Sequence, residues 1–205
     1  MPDFLIINNL VIDEELYETI ESSPPHEYNK IDFQIDGKST SKNNLDDLLL
    51  FINKNKIKHG VIAIKDIKLR AIVARSISEK VPDFIFVSVI HPTSIIGRKS
   101  KIGKGSIIMA NTIINTYTNI KDFCIIESNT SIDHDSIINN FSNINSGVTT
   151  GGNLQVGEET IIDLGVCILE NITIGNNCHV RKGALVTKDI EANTIASGVP
   201  AKKII

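Results

Sequence analysis

The sequence predicts a small parallel α/β sheet over residues 1–88, followed by a parallel β-helix over residues 89–205. Two observations predict the β-helix: an unbroken six-residue repeat of aliphatic residues, and an excess of isoleucine in the second part of the chain. A third observation, the alternation of strand-like and helix-like segments before residue 88, predicts the α/β sheet.

Composition limits the class of protein. The 205 residues carry 21 Lys and Arg against 24 Asp and Glu, so there is no basic excess to hold nucleic acid or an anionic membrane. The three cysteines have neither zinc-site nor disulfide spacing, and we expect no metal. No apolar run approaches the ~20 residues of a membrane span, and no signal peptide is recognisable. We therefore expect a cytoplasmic protein.

The first 88 residues alternate between two patterns. Strand-like apolar runs lie at Phe4–Ile7, Ile31–Ile35, Val61–Ile64 and Phe84–Val87, and helical patterns lie at Glu14–Glu21, Leu45–Asn53 and Lys68–Lys80. In the third helix Leu69, Ile72, Val73 and Ile77 recur at helical spacing. We expect Asp66 to cap this helix, and Asn44 or Asp46 to cap the second.

The second part of the chain has a period of six. Sixteen of the seventeen residues reached by stepping by six from Ile90 to Val186 are Ile or Val, and Thr150 is the exception. From Ile90 onward there are 24 Ile and four Leu, which favours strands over helices. A period of six fits neither an α-helix nor a heptad, and a β-sandwich would match it only by chance. Short strands joined by corners, with the aliphatic residue inward, form a parallel β-helix.

A second column supports this prediction. The residue two places before each repeat position is small or Val in fifteen of seventeen cases, as a crowded interior requires. Glycine follows the repeat residue at positions 97, 103, 157 and 175, where we expect a tight corner.

Several segments resemble those of one family. They are Val89–Ser94 at the junction, Asn129–Ser136 (Asn-Thr-Ser-Ile-Asp-His-Asp-Ser), Gly151–Asn153, Ala184–Asp189 and the closing Ser197–Lys202. The chain resembles the hexapeptide-repeat acetyltransferases of the sialic-acid O-acetyltransferase and nucleotide-activated 4-amino-sugar N-acetyltransferase group, well over 59–205 and loosely over 1–58. The resemblance implies a small α/β Rossmann-like N-terminal domain (1–88) that binds the acceptor. It implies a left-handed parallel β-helix (89–205), with a C-terminal extension, that binds acetyl-CoA.

The resemblance also implies a homotrimer, in which the thioester of acetyl-CoA lies between the β-helices of neighbouring protomers. Acetyl transfer needs a base and donors for the oxyanion. In the family the residue matching His134 is that base, and the acidic residue matching Asp135 raises its basicity. His134 stands two residues after the inward Ile132, so we expect it to face outward. Asp133 is expected to be a turn residue.

The repeat places residue 152 one coil after His134, and this residue is Gly152. Adjacent strands lie ~4.8 Å apart, so the two should be close. In the family the matching glycine amide holds the acetyl carbonyl, and the CoA-contacting positions correspond to Asn143, Leu164 and Lys182. Lys182 either pairs with CoA phosphates or is solvated surface charge.

The acceptor side departs from the family pattern. The glycine-rich turn that relatives carry after the first strand is replaced by residues 8–13, which contain no glycine. Asp36 keeps the acidic position that meets the base or ribose in relatives, and Asn8, Asn9 and Lys65 are candidates for replacement polar contacts.

Three functions follow. The first is N-acetylation of a nucleotide-linked amino sugar by acetyl-CoA in surface-glycan biosynthesis. The second is O-acetylation of sialic acid or of a polysaccharide hydroxyl, which the missing glycine-rich turn favours. The third is a non-catalytic trimeric scaffold.

Overall fold

The computed structural model describes residues 3–9, 14–23, 29–35 and 42–204. The first part of the chain contains β1 (Asp3–Asn9), α1 (Glu14–Ser22), β2 (Asn29–Ile35), α2 (Lys42–Asn55), β3 (His59–Ala63), α3 (Ile67–Lys80) and β4 (Ile85–Phe86). Its strands form a parallel sheet in the order β2-β1-β3-β4. The predicted strands and helices of this unit are confirmed, with ends that differ by at most three residues.

The helix starts follow local hydrogen bonding. Asp66 caps α3, because its Oδ1 accepts a hydrogen bond of 2.8 Å from the backbone N–H of Leu69, as predicted. Helix α2 begins at Lys42, so the expected cap residues Asn44 and Asp46 lie inside it and that prediction is wrong. None of the helices among the described residues is both long and apolar enough to cross a membrane.

The second part of the chain is a three-sided parallel β-helix in which each hexapeptide moves to the next side. Face 1 contains β5 (Val89–Ile90), β8 (Ile107–Ile108), β11 (Ile125–Ile126), β14 (Asn143–Ile144), β17 (Ile161–Ile162), β20 (His179–Val180), β22 (Ile195–Ser197) and the antiparallel β23 (Lys202–Lys203). Face 2 contains β6 (Ile95–Ile96), β9 (Ile113–Ile114), β12 (Ser131–Ile132), β15 (Thr149–Thr150), β18 (Cys167–Ile168) and β21 (Leu185–Val186). Face 3 contains β7 (Lys101–Ile102), β10 (Asn119–Ile120), β13 (Ile137–Ile138), β16 (Gln155–Val156) and β19 (Thr173–Ile174). We name the rows of turns between faces edge 1–2, edge 2–3 and edge 3–1.

We call the three-sided β-helix the prism, and the aliphatic repeat residues that the sequence predicted to point inward form a ladder in its interior. From Ile108 to Val186 every repeat position is buried, and Ile90, Ile96 and Ile102 pack against this core in the first coil. Register between coils is 18 residues from β5 to β21, as in the pairing of Ile132 with Ile114. In the last coil it shortens to 16 residues, as in the pairing of Val180 with Ala196. A stack of short strands therefore buries one continuous aliphatic column.

From Ser106 to Ala184 the column of small residues two places earlier is also buried, and it has a hydrogen-bonding role. Hydroxyls in this column donate to the carbonyl fifteen residues later, as Ser106 does to Lys121 and Thr112 to Glu127. The Cys124 thiol makes the same contact with the carbonyl of Asn139 at 3.1 Å. Small side chains thus fit the interior and also satisfy carbonyls that a turn would leave unpaired.

The turns differ from the expectation about glycine. The glycine after the repeat residue is not in the left-handed region; a Cβ atom on Gly97 would lie 2.5 Å from the backbone N of Thr116 in the next coil. The left-handed conformation belongs to the third turn residue, for example Asp135 with φ 56°. Close packing between coils, rather than φ, therefore favours glycine at position 97.

The α/β unit packs on face 1 of the prism. The outward side chains of Ile107 and Ile125 are buried in one cluster with Phe4, Ile6 and Val61. Edges 1–2 and 3–1 flank this covered face, whereas edge 2–3 lies opposite it.

Candidate active site

His134 lies in the turn 133–136 on edge 2–3. Its side chain is 56% exposed, and its Nδ1 atom lies 2.8 Å from Oδ2 of Asp135. The left-handed backbone at Asp135, with φ 56°, is a conformation that Asp tolerates. When the imidazole is neutral, a proton on Nδ1 donated to the carboxylate leaves Nε2 as the acceptor that faces solvent.

Neighbouring residues fix this turn. Asp133 Oδ1 accepts hydrogen bonds from the backbone N–H of His134 at 2.8 Å and from Nδ2 of Asn115 at 2.9 Å. The N–H of Asp133 donates to the Thr150 hydroxyl at 3.1 Å. Corresponding turn residues donate to a backbone carbonyl instead, as Asn115 does to Ile132. The one exception in the aliphatic ladder therefore supplies a hydroxyl to the turn that carries His134.

Gly152 lies one coil from His134, beneath its ring. The coils are joined here by a hydrogen bond of 2.8 Å from the N–H of Asn153 to the carbonyl of His134. A Cβ atom on Gly152 would lie 2.7 Å from both Cε1 and Nε2 of the imidazole. Among the described residues, the N–H of Gly152 has no hydrogen-bond acceptor. The outer wall of the prism thus combines an imidazole with an adjacent backbone donor.

The electrostatics of the site favour a basic imidazole. The hydrogen bond with Asp135 raises the pKa of His134 above its ordinary value of 6.5, and the negative charge of Asp133 adds to this effect. Glu170, one coil beyond Gly152, contributes a smaller increase to the same pKa. Within the described ranges, no three His, Cys, Asp or Glu side chains are grouped as a metal site requires.

Two of the residues expected to contact CoA lie on another edge. Leu164 and Lys182 are exposed in turns of edge 1–2, whereas His134 and Gly152 lie on edge 2–3. A single prism therefore does not bring the two pairs together.

Asn143, the third residue expected to contact CoA, lies between the prism and the α/β unit. Its side chain is 7% exposed on face 1, beneath the α/β unit. Oδ1 accepts a hydrogen bond of 2.6 Å from Arg70, and Nδ2 donates one of 2.8 Å to the carbonyl of Lys65. Both ends of the amide are therefore used to attach the α/β unit to the prism.

Arg70 is the residue of this interface that sequence reasoning missed. It is fully buried, and its guanidinium also donates to the carbonyls of Ile64, Lys65, Phe123 and Phe141. The helical spacing pointed to Ile72 as a buried residue, but Ile72 is 43% exposed. An arginine between apolar residues of a predicted helix was the available signal.

The expected acceptor side of the α/β unit is partly described. Lys65 follows β3, and its Nζ lies 2.6 Å from Oε1 of Glu127 on the prism. Asn8, near the end of the central strand β1, is buried and its Oδ1 has no hydrogen-bond partner among the described residues. Asp36 lies outside the described residues. The carboxyl ends of β1 and β3 form the switch point where open α/β sheets bind ligands.

Comparisons with known proteins agree on the architecture. No protein-family model and no curated protein sequence matches the chain. Among solved structures, perosamine N-acetyltransferase PerB from Caulobacter crescentus, in complex with CoA and GDP-perosamine, is similar with a TM-score of 0.87 and 23% identity, over 99% of this chain and 97% of that one. The acetyltransferase domain of PglB from Neisseria gonorrhoeae, in complex with acetyl coenzyme A, has a TM-score of 0.84 and 21% identity over the full length of both chains. These likenesses confirm the predicted fold class, a small α/β Rossmann-like domain followed by a left-handed parallel β-helix.

Proposed function

We propose that this protein transfers acetyl from acetyl-CoA to the amine of a nucleotide-linked amino sugar. The observation that carries the proposal is the imidazole of His134, hydrogen-bonded to Asp135 and lying over Gly152. The likeness to PerB and to the PglB domain supports it, since those structures hold CoA with GDP-perosamine and acetyl coenzyme A, respectively.

The residues divide the chemistry between them. Nε2 of His134 takes up the proton of the attacking amine as the new C–N bond forms. Asp135 stabilises the imidazolium that results. The N–H of Gly152 donates to the carbonyl oxygen of the thioester, where negative charge develops. His134 then returns its proton to the departing thiol as the C–S bond breaks.

The separation of the candidate residues supports a homotrimer. If Leu164 and Lys182 contact CoA, edge 1–2 of one protomer must face edge 2–3 of another, because the pairs lie on different edges. A head-to-tail contact of this kind forms a closed ring when it is repeated around a rotation axis. In the family that the chain resembles, three protomers form that ring. Sedimentation measures the assembly, and a monomer that is fully active would contradict it.

We propose that residues 1–88 form the acceptor domain and residues 89–205 the acetyl-CoA domain. The Oδ1 of buried Asn8 has no hydrogen-bond partner in the described part of the chain, and a ligand at the switch point would supply a donor, which supports the first assignment. Asn9 ends β1 and Lys65 follows β3, so both belong to the segments around this switch point, and Asp36 follows β2 in the sequence. A cytoplasmic enzyme of surface-glycan biosynthesis fits this acceptor class.

The decisive experiment is His134→Ala with acetyl-CoA and a panel of UDP-, dTDP- and GDP-linked amino sugars. We expect kcat to fall by at least about two orders of magnitude, the usual scale for a lost general base. Because the side chain is exposed, the thermal midpoint should not change. His91→Ala, an exchange of the junction histidine on edge 1–2, is the control. Near-wild-type turnover in His134→Ala would reject the mechanism.

A second candidate is O-acetylation of sialic acid or a polysaccharide hydroxyl. The glycine-free segment after β1 favours it, since a sugar without a nucleotide needs no phosphate cradle. NMR of the product separates an amide from an ester. A chain that fails to bind CoA in calorimetry would instead act as a scaffold.

A further inference from the structure

The third residue of each turn in the prism has a positive φ without interruption. This column steps by six through fifteen residues from Lys99 to Gly183. Ten of them are Gly, Asn or Asp, the residues that tolerate the left-handed region. The other five are Lys99, Tyr117, Phe123, Phe141 and Glu159. For a bulky side chain this backbone conformation is unfavourable, so each exception needs a compensating contact.

Three exceptions contact the α/β unit. The ring of Phe123 lies 4.9 Å from that of Phe86 and stacks on Phe141 at 5.0 Å. Glu159 pairs with Arg75 at 3.3 Å, and Arg75 also lies 5.7 Å from the ring of Phe141. Packing between the two units therefore accounts for all three.

The remaining two exceptions contact each other on edge 2–3. Nζ of Lys99 lies 3.2 Å from the hydroxyl of Tyr117 and 5.0 Å from its ring centroid. Tyr117 is nevertheless 56% exposed, so no packed core offsets its strained backbone. Strain that folding does not require is commonly kept for binding.

These residues lie in line with His134. The N–H of Tyr117 bonds to the carbonyl of Arg98, and the N–H of Asp135 bonds to that of Thr116, so successive coils are joined along the edge. With ~4.8 Å between coils, Tyr117 is about 5 Å and Lys99 about 10 Å from the level of Asp135. Arg98 is exposed two coils before His134, at the same place in its turn.

We propose that Arg98, Lys99 and Tyr117, named here the edge cluster, bind the diphosphate and sugar ring of the acceptor. The proposal rests on the proposed function. Leu164 and Lys182, the residues that the proposed function gives to CoA, belong to coils after that of His134, so the acceptor amine must approach from the N-terminal side. A diphosphate one sugar ring from the amine comes within reach of both cations, while the Tyr117 ring packs against the sugar. The edge cluster thereby supplies the diphosphate contacts that residues 8–13 lack. The α/β unit that contacts the same acceptor belongs to a neighbouring protomer of the proposed trimer, because edge 2–3 lies opposite the face that carries its own α/β unit.

The first test compares two double variants by calorimetry with GDP, UDP and dTDP. Arg98→Gln with Lys99→Gln should weaken binding of the nucleotide that the wild type prefers by about tenfold or more. Lys101→Gln with Lys104→Gln removes the same charge from exposed residues outside edge 2–3 and should leave that affinity unchanged. Acetyl-CoA affinity should be the same in all three proteins.

The second test is Tyr117→Asn, which suits the positive φ. We expect an equal or higher thermal midpoint together with a KM for the nucleotide-linked acceptor raised by about tenfold. A merely structural tyrosine would lower the midpoint and leave this KM unchanged, which would overturn its role.

The outcomes separate the two proposals. Equal nucleotide affinity in the wild type and in the Arg98/Lys99 variant overturns the edge cluster, while acetyl transfer by both proteins leaves the proposed function intact. If the protein binds N-acetylneuraminic acid but none of the nucleotides, the edge cluster recognises a carboxylate rather than a diphosphate, and the assignment is overturned. A wild type that neither binds nor consumes acetyl-CoA overturns the proposed function itself.

Discussion

The imidazole of His134 occupies the space in which residue 152 would otherwise carry a side chain. A Cβ atom on Gly152 would lie 2.7 Å from Nε2 and Cε1 of that ring, well inside normal contact distance. The height of the ring above the prism is therefore set by the absence of one side chain in the next coil. This relationship makes the glycine testable independently of the histidine.

Gly152→Ala should lower kcat by about a hundredfold while the protein stays folded. The backbone at Gly152 is outside the left-handed region, so the main effect of the methyl group is to push the exposed ring aside. A displacement of about 1 Å at a catalytic group can cost about that factor. Steady-state kinetics and thermal unfolding measure the two effects separately.

Gly147→Asn is the matched control for this substitution. Gly147 has φ 69°, which Asn tolerates, and open space where a Cβ would lie. We expect this variant to keep wild-type kcat. If Gly152→Ala were equally active, His134 would not work from its position over the glycine.

The pH dependence of turnover should report the Asp135–His134 hydrogen bond. That bond is the largest cause raising the pKa of His134 above 6.5. Only the neutral imidazole acts as a base, so kcat/KM should fall as the pH drops through this raised pKa, with a midpoint above 6.5. In Asp135→Asn the midpoint should move down toward 6.5, so a larger share of the maximal rate survives in acid.

Asn suits the left-handed backbone at residue 135, so Asp135→Asn should not alter the thermal midpoint. A pH–rate profile of both proteins with saturating acetyl-CoA measures the shift. Coincident midpoints would mean that Asp135 does not control the titration of the base.

The interior of the prism could be predicted from the sequence because each coil repeats the same environment. The position of Ile132 within one hexapeptide fixes its inward direction, and the same argument places His134 outward and Gly152 one coil away. Nothing in this reasoning requires knowledge of distant parts of the chain.

Contacts between the two units could not be predicted in this way. They depend on which face of the prism the α/β unit covers. The hexapeptide pattern is the same on all three faces, so it does not indicate which face is covered. Asn143 is therefore a face 1 residue bonded to Arg70 and Lys65, although the family resemblance suggested a contact with CoA. Arg70 is buried for the same reason, because its partners lie on both units, whereas Ile72 of the same helix is exposed.

Thr150→Val should lower kcat by about tenfold with little loss of stability. Valine restores the aliphatic ladder but removes the hydroxyl that accepts a hydrogen bond of 3.1 Å from the N–H of Asp133. The lost bond contributes about 1 kcal/mol, and the turn that carries His134 loses a restraint. Thr149→Val makes the same chemical change at the exposed neighbouring residue and should be silent. Equal kcat in both variants would remove Thr150 from the positioning of His134.

Arg70→Met should lower the free energy of unfolding by about 3–5 kcal/mol, because several buried acceptors lose their donors together. Burial lowers the pKa of Arg70 to about 10, which leaves the guanidinium charged at neutral pH and hydrogen-bonded to both units. Arg75→Met, on the same helix, removes an exposed arginine whose ion pair with Glu159 contributes at most about 1 kcal/mol. Urea unfolding of the two variants compares these losses directly. A loss below about 1 kcal/mol in Arg70→Met would mean that the α/β unit is held on the prism by apolar packing alone.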